Sequence, residues 1–112
     1  MTKRYNQLPQ VAFSILLALS LKPRHGYEIM KQVAEDSAGK IKLGPGALYT
    51  SIKQLNEQRL IEEVDNGGDS RRRYYRLTGL GRQRLNAELE YYQQAVKIAA
   101  SRQALPMEIY NV

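Results

Sequence analysis

From Leu8 to Leu21 the chain is apolar almost all round, with Val11, Phe13, Ile15, Leu16, Leu17 and Leu19 leaving no continuous polar face. That pattern at this length predicts a helix buried over most of its surface, ended by Lys22-Pro23. The next segment, His25 to about Ala38, reads as an amphipathic helix. Tyr27, Met30, Val33 and Ala34 fall on one face at helical spacing, Glu28, Lys31 and Glu35 fall elsewhere, and Gly39 is the expected stop. After an extended link from Lys40 to Leu43, Gly44-Pro45-Gly46 breaks the chain and opens a third helix, with proline at an early position where its missing N–H costs nothing. Leu48, Ile52 and Leu55 must face inward in that helix. The opposite face then carries Gly46, Thr50, Lys53 and Glu57, with Tyr49 and Gln54 on the flanks.

The pattern then changes period. Leu60 to Asp65 and Arg71 to Leu77 are two β-compatible runs around the tip Asn66-Gly67-Gly68-Asp69-Ser70, which predicts a hairpin with Val64, Tyr75 and Leu77 turned inward. Thr78 can cap a last helix running to about Ala104 and stopped by Pro106. Along it Leu85, Leu89, Tyr92, Val96 and Ala99 form one apolar stripe, and Leu80, Ala87, Tyr91, Ala95 and Ile98 form a second. One short domain cannot cover both, so one stripe is expected to serve a second copy of the chain.

Composition narrows the class. The 112 residues hold no Cys, no Trp and a single His, which removes disulfides, thiolate metal sites and a histidine cluster for zinc. The longest apolar run is too short to span a bilayer and lacks the flanks of a signal peptide, so a soluble cytoplasmic protein is expected. A chain of this size has a thin core and gains from oligomerising. With 17 Lys and Arg against 11 Asp and Glu, the formal charge is +6, which points to a polyanionic partner. Half of that excess lies between Gly67 and Arg76, where Arg71, Arg72, Arg73 and Arg76 face only Asp69.

Three helices, the third after a tight break, followed by a hairpin with an arginine-rich distal strand, are the layout of a winged helix-turn-helix. The fold expected is mainly α with one β-hairpin, namely a DNA-binding domain with its N-terminal arm over residues 1–77, a C-terminal dimerisation helix over 78–104 and a tail over 105–112. In such a fold the recognition helix reads base edges in the major groove while the wing holds phosphates. His25-Gly26-Tyr27-Glu28-Ile29, Pro45-Gly46-Ala47-Leu48-Tyr49, Leu60-Ile61 and Tyr74-Tyr75-Arg76-Leu77-Thr78 with Gly81, in that order, resemble the PadR transcriptional regulators in their short form with one C-terminal helix. The resemblance covers about Leu8 to Val96. It implies a dimeric winged-helix repressor on a palindromic operator, with its C-terminal helix packed on the partner. It places Tyr49, Thr50 and Lys53 on the recognition helix and Arg71, Arg72 and Arg73 on the wing. Three departures stand out: Ala47 where the family usually has Thr, Arg59 where it usually has Gly at the helix end, and no Trp of the kind its drug-binding members carry on the last helix.

Thr50 and Lys53 sit squarely outward and Tyr49 sits on the flank between core and surface, so these three with the arginine run are the candidate DNA contacts. Leu85, Leu89, Tyr92 and Val96 are the candidate dimer seam. His25 beside Glu28 could be imagined as a general-base pair, but no nucleophile, carboxylate pair or phosphate-cradling loop accompanies it, and a lone histidine at a helix start is structural. No enzyme activity, cofactor or metal is expected. The partners expected are double-stranded DNA and a second copy of the chain, with no membrane. A small aromatic effector, bordered by Tyr5, Tyr91 and Tyr92, is a further candidate without assigned ligands. The rival to DNA binding is a winged module that docks another protein and uses its charge for solubility.

Overall fold

The computed structural model describes residues 7–65 and 71–104. The N-terminal arm, the hairpin tip over residues 66–70 and the tail after 104 lie outside the described residues. Among the described residues seven elements follow in order: α1 (Gln10–Ala18), β1 (Arg24–His25), α2 (Gly26–Asp36), α3 (Pro45–Glu57), β2 (Ile61–Val64), β3 (Tyr74–Leu77) and α4 (Gly79–Ser101).

Helix α1 is the buried one. Ile15, Leu16, Ala18 and, just past its end, Leu19 carry the centre of the core, and the Ser14 hydroxyl is satisfied by donating to the Gln10 carbonyl at 2.8 Å. The apolar run predicted helix as far as Leu21, but the helix ends sooner. The Ser20 hydroxyl donates to the Leu17 carbonyl at 2.7 Å, the Arg24 Nε takes the Ala18 carbonyl at 2.8 Å, and Leu21 is left in solvent. Those donors meet carbonyls that the next helical turn would otherwise have taken.

Strand β1 has no counterpart in the sequence reading. Its two residues pair antiparallel with β3, Arg24 opposite Tyr75 and His25 opposite Tyr74, giving a three-stranded sheet in the order β1-β3-β2. On the other side β2 pairs with β3 from Ile61 opposite Leu77 to Val64 opposite Tyr74. His25 therefore precedes α2 rather than opening it. Its Nδ1 accepts the Glu28 N–H while the Glu28 carboxylate accepts the His25 N–H at 3.2 Å, a reciprocal cap. Tyr75 and Leu77 are buried as the hairpin pattern predicts, and Val64 is half-buried.

The inward assignment of Tyr27 changes, and so do two of the four seam assignments, Leu85 and Tyr92. Ile29 and Val33 are the buried face of α2, whereas Tyr27 is 68% exposed, because the first turn of α2 overhangs the wing side of the sheet instead of the core. On α4, Leu85 is 1% exposed and belongs to the protomer's own core, so it is not available to a second copy. Tyr92 is also engaged within the chain. Its ring meets Phe13 edge-on at 5.4 Å and its hydroxyl donates to Glu88 Oε2 at 3.1 Å. Glu88, buried in turn, accepts the Leu8 N–H on its other oxygen at 3.3 Å and so ties the start of the chain to α4. Of the four seam candidates only Leu89 (39%) and Val96 (52%) face outward. They share the surface with Leu80, Tyr91 and Ile98 from the second stripe.

Candidate nucleic-acid interface

Leu48, Ile52 and Leu55 anchor α3 in the core, which turns Thr50 and Lys53 to solvent as the spacing requires. Tyr49 is 53% exposed, resolving its flank position outward. Its hydroxyl lies over Gly26, where an added Cβ would come within 2.6 Å of it. Glycine at the start of α2 is what allows the Tyr49 phenol to bridge from α3 towards α2.

The wing arginines precede β3 rather than lying in it, since the strand begins only at Tyr74. They diverge to the two sides of the hairpin. Arg72 Nη1 stands 3.3 Å from His25 Nε2 on the β1 side, while Arg73 Nε approaches Glu63 Oε1 at 3.7 Å on the β2 side. Arg76, the fourth charge of the cluster, is tied within the sheet, with its Nε and Nη2 both 2.7 Å from Glu62 Oε1. Below them, burial pushes the Tyr75 phenol above its ordinary value of 10.0, Glu63 pushes it the same way, and Arg73 opposes both.

Between the first turns of α2, Tyr49 and the wing runs an open cleft of about 910 Å³. Arg71, Arg72, Arg73 and Lys31 bring positive charge to it, Glu28 and Glu35 bring negative charge, and Tyr27 and Tyr49 border it with phenol rings. The cleft gathers four of the six sequence-assigned contacts, Tyr49 and the three arginines. Thr50 and Lys53 are exposed on α3 but do not line it. Tyr27 and Lys31 escaped the sequence reading. Lys31 sits among acidic neighbours on an ordinary solvated face, and Tyr27 was assigned to the core; only the turn-by-turn docking of α2 against β1 puts them here.

A helix-turn-helix formed by α2 and α3, flanked by a basic hairpin, defines a winged-helix transcriptional regulator. A family model described as "Transcriptional regulator PadR-like family" matches residues 15–87, and the chain belongs to that family. A relative in Lysinibacillus sphaericus, known as uncharacterized protein X, is 31% identical over 90 residues, which make up 76% of this chain and 81% of that one. Among solved structures, a PadR family transcription regulator from Clostridium difficile superposes with a TM-score of 0.71 at 28% identity, covering 85% of this chain and 99% of the other. A transcriptional regulator from Clostridium thermocellum gives 0.66 at 25% identity, over 81% and 90% of the two chains. The chain is thus a DNA-binding transcriptional regulator, and its relatives of known class are regulators rather than enzymes. Among the described residues, no helix is long and apolar enough to cross a membrane.

Proposed function

We propose that the protein is a homodimeric repressor that occupies a palindromic promoter operator and is released by a small aromatic effector. Thr50, Lys53 and Tyr49 would meet base edges and flanking phosphates, and the wing arginines with Tyr27 and Lys31 would hold the backbone. The observation that carries this reading is the convergence of Tyr49 and Arg71 to Arg73 on one open cleft beside the solvent face of α3. Four or five phosphate contacts would make binding strongly dependent on salt.

Dimerisation rests on a second observation. One side of α4 packs on α1, while Leu89, Tyr91, Val96 and Ile98 remain exposed on a helix of 23 residues. A second copy would cover that surface and set two recognition helices about one turn of DNA, roughly 34 Å, apart. Selection of bound fragments from random duplex DNA tests the reading as a whole. A palindromic consensus with half-sites one helical turn apart is expected; a consensus without two-fold symmetry refutes the dimeric operator, and no consensus at all favours a module that docks another protein. Aromatic compounds that lower affinity for the selected site would establish release.

A further inference from the structure

Of the glycines among the described residues, Gly26 is the one whose missing Cβ leaves room for a side chain of the candidate interface. Its φ lies outside the left-handed region, so an alanine could take the same backbone, and alanine is the better helix former where α2 opens. What glycine provides here is space. A Cβ at position 26 would stand 2.6 Å from the Tyr49 hydroxyl oxygen and 3.2 Å from both Tyr49 Cζ and Leu48 Cδ2. The far end of the Tyr49 ring thus rests on the bare backbone of α2, and Gly26 is buried although it lines the open cleft. An exposed phenol on a helix is otherwise free to change rotamer and swing into solvent. Here its neighbour Leu48 anchors that turn of α3 in the core, so the side chain is held at its root and again at its tip.

We propose that Gly26 is a positioning residue for DNA binding: its bare backbone is the seat that holds the Tyr49 phenol at a set place on the cleft before DNA arrives. This rests on the reading of Tyr49 as a DNA contact. Fixing an aromatic ring where DNA will meet it lowers the ordering cost that binding would otherwise incur. Of the atoms around a Cβ at position 26, the hydroxyl oxygen is the nearest and is the tip of an exposed side chain, whereas Leu48 is locked in the core and has to give by only a few tenths of an ångström. Gly26→Ala therefore lifts the ring from its seat and leaves the core in place. Tyr49→Phe deletes the atom that the new methyl group strikes, so the pair separates seating of the phenol from any other effect of a larger residue in α2.

The experiment is a double-mutant cycle between Gly26→Ala and Tyr49→Phe, read as affinity for a random-sequence DNA duplex several turns long at low salt. Gly26→Ala is expected to bind about fivefold more weakly than the parent, yet to change affinity by less than about twofold in the Tyr49→Phe background. A Gly26→Ala protein that binds like the parent overturns the proposal. So does a loss of the same size in both backgrounds, which assigns the effect to Leu48 or to α2 itself. In the DNA-free parent, a nuclear Overhauser contact between the Tyr49 ring protons and the Gly26 Hα is expected, and the ring resonances should shift in Gly26→Ala; a missing contact or unmoved resonances overturn the seat itself. If the contact is present while Tyr49→Ala binds as tightly as the parent, the seat stands and the reading of Tyr49 fails instead, taking the role of Gly26 in DNA binding with it.

Discussion

The Arg59 carbonyl accepts a 2.6 Å hydrogen bond from the Thr78 hydroxyl, joining the end of α3 to the start of α4. Thr78 acts twice more in the same place. Its oxygen accepts the Gly81 N–H at 2.9 Å as the N-cap of α4, and its own N–H donates to the Leu60 carbonyl at 3.1 Å. Gly81 allows this approach, because a Cβ there would collide with the Leu60 carbonyl oxygen. The two helices that would read DNA and join the dimer are therefore linked through a few backbone atoms.

Removing that hydroxyl should loosen both contacts. Thr78→Ala is expected to lose about 1–2 kcal/mol of stability, the upper range for a helix cap, and Thr78→Ser to retain most of it. Urea unfolding of the two variants at matched protein concentration measures the difference. Equal stability for Thr78→Ala and the parent would refute the link.

Arg59 itself sits at φ 61°, in the left-handed region. The end of α3 closes with Arg59 N–H on Asn56 O and Leu60 N–H on Leu55 O, both at 3.0 Å, a pattern that ordinarily places glycine where Arg59 stands. Arg59→Gly relieves about 1–2 kcal/mol of backbone strain and gives back part of it through the freer unfolded chain, so a net gain of about 0.5–1 kcal/mol is expected. A raised urea midpoint with an unchanged slope is the signature. Ala38 (φ 53°) and Gln103 (φ 54°) end α2 and α4 in the same way without glycine, and Gly39 follows one position late.

The division of α4 into an inner and an outer face predicts opposite phenotypes. Leu85→Ala should cost about 2–5 kcal/mol, as for other buried leucines, in the monomer and the assembled protein alike. Leu89→Glu with Val96→Glu should leave the protomer folded but make it monomeric. Circular dichroism and sedimentation together separate the outcomes, and a double variant that keeps the parental mass would place the interface elsewhere.

The Tyr75 phenol, raised above 10.0 by burial and then by Glu63, predicts a loss of stability on the alkaline side. The unfolded chain ionises first, so this group's contribution is complete below pH 10 and disappears as pH rises through the folded value. The parent should lose stability faster than Tyr75→Phe above pH 10, because both share every other tyrosine. Parallel curves for the two proteins would remove Tyr75 as the cause.

Unequal salt effects are expected within the arginine cluster. Replacing Arg71 and Arg72 with alanine should reduce the slope of log affinity against log salt by nearly two if both side chains meet phosphates, while Arg76→Ala, whose guanidinium is tied to Glu62 within the sheet, should change it by less than one. Duplex binding at several salt concentrations provides both slopes.

Apolar spacing alone placed Leu48, Ile52 and Leu55 in the core and Thr50 and Lys53 in solvent, since helical geometry leaves no other arrangement. It also placed Thr78 at the start of α4 and Tyr75 inside the hairpin, because capping and strand alternation are local. Tertiary structure decided what depends on contact between distant segments. Strand β1 is two residues long and has no periodic signature, so only its pairing with Tyr74 and Tyr75 defines it. Tyr27 faces the cleft because β1 fixes where α2 begins, and Arg72 meets His25 because the hairpin folds back beside that strand. The two stripes of α4 were visible from the start. The protomer's own core takes neither stripe whole: it takes Leu85 and Tyr92, the latter against Phe13 of α1, and leaves Leu89 and Val96 of the same stripe on the surface.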